Sequence, residues 1–253
     1  MKKKIIILGL LYVCAQGSTT KNPPIAAKSD KTKQAAAPIT CPLLPPACNL
    51  GSESPIDLEP AYEVNLADIK FHYPSANFTR SKTDYGFELT PTNKKMQDDF
   101  YIIVDGQRYT LKQFHFHTPG EHKIKGQGFP MEIHIVHQTA QGNIAVIGVF
   151  VKAGKEHFDI NSILNLPKNL DKPVKILSPL SLSTLIPRDH RMYRYTGSLT
   201  VEPYKKEIKW LIVRSPLEAS PKQLKAMADI LGKNNRELQP RGTRAVVVDS
   251  TND

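Results

Sequence analysis

Two runs, Gln113-Phe114-His115-Phe116-His117 and Glu132-Ile133-His134-Ile135-Val136-His137, constrain this chain more than anything else in it. Both read as strands, whose successive side chains point to opposite faces. His115 and His117 therefore project to one side together with Gln113, while Phe114, Phe116 and Leu111 suit the apolar side. Two imidazoles at i and i+2 sit about 6–7 Å apart at their roots, close enough to converge on one ion. In the second run Glu132 and His134 share a face, and Ile133, Ile135 and His137 share the other. If the two strands pair, His134 completes a three-nitrogen site. Three neutral imidazoles leave one tetrahedral position open on Zn2+, the mark of a catalytic rather than a structural centre. Gln113 and Glu132 each stand two residues before a candidate ligand, on its face, where they can accept the other ring N–H and fix the tautomer. The bland alternative is a patch of buried, hydrogen-bonded histidines. It does not explain why three should face one way from a largely apolar sheet.

The surrounding sequence is patterned for strands. Phe100–Val104 and Tyr109–Phe116 flank Asp105-Gly106-Gln107-Arg108, and Asp-Gly between two apolar runs is a strong hairpin signal. Glu132–His137, Asn143–Val151 and Ile208–Val213 are further strand candidates. Helical patterns are few: a short one at Asp159–Leu164, and one at Pro221–Leu231 with Ser220 as N-cap, Pro221 at the first turn and Gly232 closing it. Twenty prolines against fourteen glycines fit many loops and edges. The expected fold is mainly β (α+β): a single domain with a large, mostly antiparallel twisted central sheet and a few short peripheral helices.

The N-terminus reads as an address. Lys2, Lys3 and Lys4 precede the apolar run Ile5–Val13, too short to cross a bilayer, and small residues follow in a cleavage-like pattern. Residues 1–17 are read as a signal peptide, with lipidation at Cys14 as the alternative, so the chain is expected to be exported, periplasmic or secreted. Residues 18–40 hold almost no large apolar side chains and read as a flexible tether, leaving 41–248 as the folded domain. In an oxidising compartment Cys41 and Cys48 can pair; so short a loop contributes about 2–3 kcal/mol at most. The net charge of +10 is scattered along the chain. With no basic helix and no aromatic-basic interleaving, nucleic-acid binding is not expected. No segment is long and apolar enough to span a membrane.

The histidine runs, with Glu121-His122 between them, resemble the zinc core of alpha-class carbonic anhydrases. Ser54-Pro55-Ile56-Asp57-Leu58 resembles that family's early signature and Tyr193–Thr200 its late one, followed by Pro203 and Trp210. Asn235-Arg236 through Gln239-Pro240 resembles its C-terminal segment. The likeness spans about residues 49–246. It implies His115, His117 and His134 as zinc ligands, Gln113 and Glu132 as partners of His115 and His134, and the carbonyl near Asn234 as partner of His117. It implies that Thr200 accepts a hydrogen bond from zinc-bound hydroxide and passes its own proton to Glu121. It makes Val136, Val146, Leu199 and Trp210 the apolar wall for carbon dioxide. The implied reaction is the reversible hydration of carbon dioxide to bicarbonate and a proton, by attack of zinc-bound hydroxide. Sulfonamides and inorganic anions are the implied inhibitors, and a homodimer is allowed.

The chain also departs from that pattern. Tyr85 stands where the fastest members carry a shuttle histidine, and a phenol with a pKa of about 10 is a poor shuttle near neutrality. Modest turnover stimulated by buffer is therefore expected. Val201 removes a cavity hydroxyl, Glu202 adds a charge, and Tyr204 replaces a cysteine that pairs with an N-terminal one in exported members, which favours the local Cys41–Cys48 bridge. Alternative readings are a non-catalytic binding module that keeps the fold, or a zinc hydrolase with esterase activity.

Overall fold

The computed structural model describes residues 51–167 and 172–250. The expected signal peptide, the tether, Cys14, Cys41 and Cys48 lie outside the described residues.

Twelve strands and two α-helices are formed among the described residues. The strands are β1 (Tyr62–Val64), β2 (Lys70–His72), β3 (Phe78–Thr83), β4 (Gly86–Pro91), β5 (Tyr101–Val104), β6 (Gln107–His117), β7 (Met131–Gln138), β8 (Ile144–Ala153), β9 (Val174–Lys175), β10 (Met192–Ser198), β11 (Lys206–Ala219) and β12 (Val247–Asp249). The helices are α1 (Phe158–Leu164) and α2 (Pro221–Leu231). The strands join in the order β1-β12-β10-β11-β8-β7-β6-β4-β3-β9, with β5 also on β6 and β2 on β5.

Local chemistry explains the elements nearest the site. Asp105 and Gly106 take φ of 51° and 75°, the left-handed pair that a tight hairpin between β5 and β6 requires. Helix α2 begins at a reciprocal cap: Ser220 Oγ accepts from Gln223 N–H, and Gln223 Oε1 accepts from Ser220 N–H.

The sheet is mixed, which corrects the expectation of a mostly antiparallel one. β8 and β11 run parallel near its centre, and β1 and β12 run parallel at its edge. A parallel pair needs a crossover of about a dozen residues or more, and the chain between Ala153 and Lys206 supplies it. Hairpin signals report neighbours in sequence, so they register only the antiparallel pairs.

Alternate residues of the central strands feed two cores. Ile133 and Ile135 of β7 join Ala145, Ile147, Val149 and Val151 of β8 in the larger one, with Phe114 and Phe116 of β6. Val146 and Phe150 join Trp210 and Ile212 of β11 in the other, against which Val136 and Leu199 pack. Strict alternation would put Leu111 on the face of Gln113, His115 and His117. A register shift between Leu111 and Gln113 moves it into the core with Phe114 and Phe116.

Candidate metal centre

β6 and β7 are antiparallel neighbours, with His115 opposite His134 and His117 opposite Glu132. The three rings meet on one face, with centroids 4.9 Å (His115 to His117), 5.3 Å (His115 to His134) and 4.6 Å (His117 to His134) apart. All three are buried, and one nitrogen from each lies within 4.8 Å of the others.

The outward nitrogens are each held. His115 Nδ1 donates to Gln113 Oε1 at 2.8 Å, and His117 Nδ1 donates to the Asn234 carbonyl at 3.1 Å. His134 Nε2 donates to Glu132 Oε1 at 2.9 Å. A carbonyl or carboxylate oxygen can only accept, so these nitrogens carry the ring protons. The Nε2 atoms of His115 and His117 are then bare lone pairs, and they face each other at 3.0 Å. Two lone pairs that close repel unless a cation lies between or beside them. Three imidazole donors with held tautomers suit a borderline ion such as zinc.

Electrostatics keep the donors neutral. Burial first, then the His117 and His134 rings, holds His115 well below the usual imidazole range. Burial lowers His117 to about 4 despite the Asn234 carbonyl, and lowers His134 with His117 adding to the effect. Burial works to raise Glu132, but His122 and His134 outweigh it and hold the carboxyl well below its ordinary value.

Glu132 is the hub beneath the rings. Its Oε1 also accepts from His122 Nδ1 at 2.7 Å, and its Oε2 accepts from the Glu121 and His122 backbone N–H groups, each at 2.8 Å. His122 Nε2 then accepts from Tyr195 O–H at 2.6 Å, and Tyr195 in turn bonds Ser54 Oγ at 2.7 Å. His137 faces away from the cluster and bonds the Tyr73 hydroxyl at 2.7 Å.

Glu121 lies just behind the three rings. Its Oε1 accepts from Arg236 N–H at 2.8 Å and stands 3.4 Å from His117 Nδ1. Burial raises its pKa, with His134, the Arg236 N–H and the Thr200 hydroxyl pulling the other way. Oε2 nonetheless has no partner at hydrogen-bond distance. The buried Thr200 hydroxyl is near this carboxylate without closing a bond to it.

The expected apolar wall is a row across the sheet. Val136 pairs with Val146, and Val146 with Trp210, on the face of His134, whose ring lies 4.8 Å from the indole. Trp210 Nε1 donates to the Ser198 carbonyl at 2.9 Å. Leu199 packs against the same cluster.

Tyr85 also reaches the cluster, its ring 4.9 Å from His115. It is half-buried, and burial followed by Glu88 raises the phenol far above its ordinary pKa. Sequence reasoning passed over Glu88. Alternation along β4 places it on a face away from Phe87 and Leu89 but cannot say that His115 is its register partner. Arg236 carries no local signal in the sequence beyond its place in the C-terminal motif. Its guanidinium lies 3.8 Å over the Tyr204 ring and bonds Glu53 and the Ser54 carbonyl, tying down the N–H that meets Glu121.

Comparison with known proteins decides the family. Residues 37–250 match the family model described as eukaryotic-type carbonic anhydrase. The chain belongs to the eukaryotic-type carbonic anhydrase family. A carbonic anhydrase of Neisseria gonorrhoeae is 32% identical over 202 residues, 79% of each chain. One from Klebsiella pneumoniae is 30% identical over 198 residues, 78% of this chain and 79% of that one. The alpha-carbonic anhydrase of Thermovibrio ammonificans, solved with the inhibitor sulfanilamide, superposes with a TM-score of 0.72 at 33% identity, covering 78% of this chain and 86% of the other. Among the described residues of this carbonic anhydrase, no helix is long and apolar enough to cross a membrane.

Proposed function

We propose that this carbonic anhydrase hydrates carbon dioxide reversibly to bicarbonate and a proton, with zinc held by His115, His117 and His134. The observation that carries the reading is the pair of bare imidazole nitrogens turned toward each other at 3.0 Å, each with its proton committed elsewhere. When bound, zinc supplies Lewis acidity that brings a coordinated water near a neutral pKa, an effect of which carbonic anhydrases are themselves the type case.

The chain's own groups supply orientation. Gln113, the Asn234 carbonyl and Glu132 hold the three ring protons outward. Ionised Glu121 can only accept, so as the nearby Thr200 hydroxyl closes onto it Thr200 donates the hydrogen bond and turns a lone pair toward the nucleophile. Val136, Val146, Leu199 and Trp210 offer an apolar surface to a substrate without a net dipole. Tyr85, its phenol raised by burial, holds its proton near neutrality, and proton export falls to buffer. Sulfonamides bind on the open side of the three imidazoles, in line with the sulfanilamide complex of the Thermovibrio relative. Export rests on the Lys2–Val13 pattern. The intact donor set and its acceptors count against a non-catalytic binding module.

Stopped-flow carbon dioxide hydration, with and without an aromatic sulfonamide and alongside zinc content, tests the reading. Stoichiometric zinc without hydration would sink it. Thr200→Val should lower hydration about 10- to 100-fold while zinc content stays full.

A further inference from the structure

Beside His115 runs a chain of polar contacts that the reaction does not itself require. Tyr85 lies in the turn between β3 and β4, and Glu88 is on β4, opposite His115. The Tyr85 hydroxyl donates to Glu88 Oε2 at 3.3 Å. Gln113 Nε2 donates to the Tyr85 oxygen at 3.5 Å, and Gln113 Oε1 accepts from His115 Nδ1 at 2.8 Å. The Tyr85 backbone is fixed as well: its carbonyl accepts from Asn234 Nδ2 at 2.8 Å.

The direction of each contact follows from its end. An ionised carboxylate has no proton to give, so Glu88 accepts and the Tyr85 O–H must donate. The phenol oxygen then has lone pairs to spare, and the Gln113 NH₂ group turns to it. That leaves the amide oxygen for His115. A flipped Gln113 would aim its NH₂ at Nδ1, favour the other tautomer, and put a proton on the nitrogen that faces His117. Nothing else about a glutamine tells its two ends apart at close to equal size.

We infer that Glu88 and Tyr85 are positioning residues that hold Gln113 in one orientation and thereby assign His115 Nε2 as a metal donor. The inference rests on the metal-centre reading above. Glu88 touches neither substrate nor ion; it acts through Tyr85 and Gln113.

The test is a double-mutant cycle on the full chain, read as zinc affinity by chelator competition, with Glu88→Gln, Tyr85→Phe and both together. Each single variant should bind zinc about 10-fold more weakly, the low end for loss of an outer partner of a metal ligand. The double variant should stay within about 2-fold of the weaker single one, because both changes break the same chain. Full affinity in both single variants overturns the inference. So does a loss in the double variant equal to the product of the two, which would mean that the Glu88 charge acts through space. The ¹⁵N shifts of the His115 ring in zinc-free protein give a second readout. Wild type should show one tautomer protonated at Nδ1, Glu88→Gln a mixture, and Glu88→Asp a return toward wild type. A single unchanged tautomer in Glu88→Gln overturns the inference even if Tyr85→Phe fails to fold. A wild-type protein that holds zinc but does not hydrate carbon dioxide would defeat the proposed function and leave both readouts intact.

Discussion

At the scale of single residues, most of this centre is decided by where protons sit. Each ligand ring has an acceptor behind it, so the lone pairs converge. His137 shows the opposite use of the same side chain. It faces the larger core, bonds only Tyr73 by its Nε2, and burial takes its pKa down to about 3 against backbone carbonyls of Ile135 and Ala145 that favour the charged form. In the unfolded chain the ring titrates at its ordinary 6.5. Between pH 6.5 and about 3 the unfolded state therefore binds a proton that the folded state refuses, and acid favours unfolding. Stability from this residue is fully present above pH 6.5 and is lost as pH falls toward 3. In zinc-free protein, His137→Gln should flatten the dependence of unfolding free energy on pH in that window by up to about 1.4 kcal/mol per unit. Urea midpoints at several pH values measure it, and an unchanged slope would show that the imidazole is not kept neutral.

At the scale of elements, strand pairing decides what each side chain meets. Gly148 on β8 lies opposite His134 on β7 and opposite Ile212 on β11. A Cβ there would stand 2.4 Å from Ile212 Cδ1 and 3.2 Å from Glu132 Oε1. The glycine is thus required by Ile212, packed directly over it, and by the Glu132 carboxylate beside it, rather than by its own backbone. Gly148→Ala should cost about 1–3 kcal/mol by overpacking, and zinc should dissociate faster because Glu132 is pushed off His134. Chemical denaturation and zinc release to a chelator check the two effects separately. The strands that carry the histidines were legible because alternation and the Asp-Gly turn are local signals. β1, β2, β9 and β12 are two or three residues long, and such short pieces have no period to read. Helix α2 was legible down to its cap, since Ser220, Pro221, Gln223 and Gly232 act within one turn.

At the scale of the whole molecule, the three clustered histidines come from two adjacent strands, but their supports come from much of the described chain. Glu121 and the Asn234 carbonyl lie against His117, the Arg236 N–H holds Glu121 from behind, and Ser54 joins the same network through Tyr195 and His122. Occupation of the centre should therefore stabilise the domain as a unit. An aromatic sulfonamide at 100 times its dissociation constant should add about 2.7 kcal/mol to unfolding of the zinc-loaded protein. It should add nothing once zinc is stripped by a chelator. Thermal unfolding with and without the two ligands measures this, and equal stabilisation of the metal-free protein would place the inhibitor elsewhere.

Read alone, the sequence determined which side chains share a face. Period-two alternation put His115, His117 and Gln113 together, and Glu132 with His134, since a strand's geometry depends only on its own residues. It could not determine which strands lie parallel, where β6 shifts register at Leu111 and Gln113, or that Glu88 and the Arg236 N–H arrive at the same centre. Those follow from pairings between segments far apart in the chain. Such contacts are chosen by the packing of the whole sheet, and they leave no periodicity in the sequence.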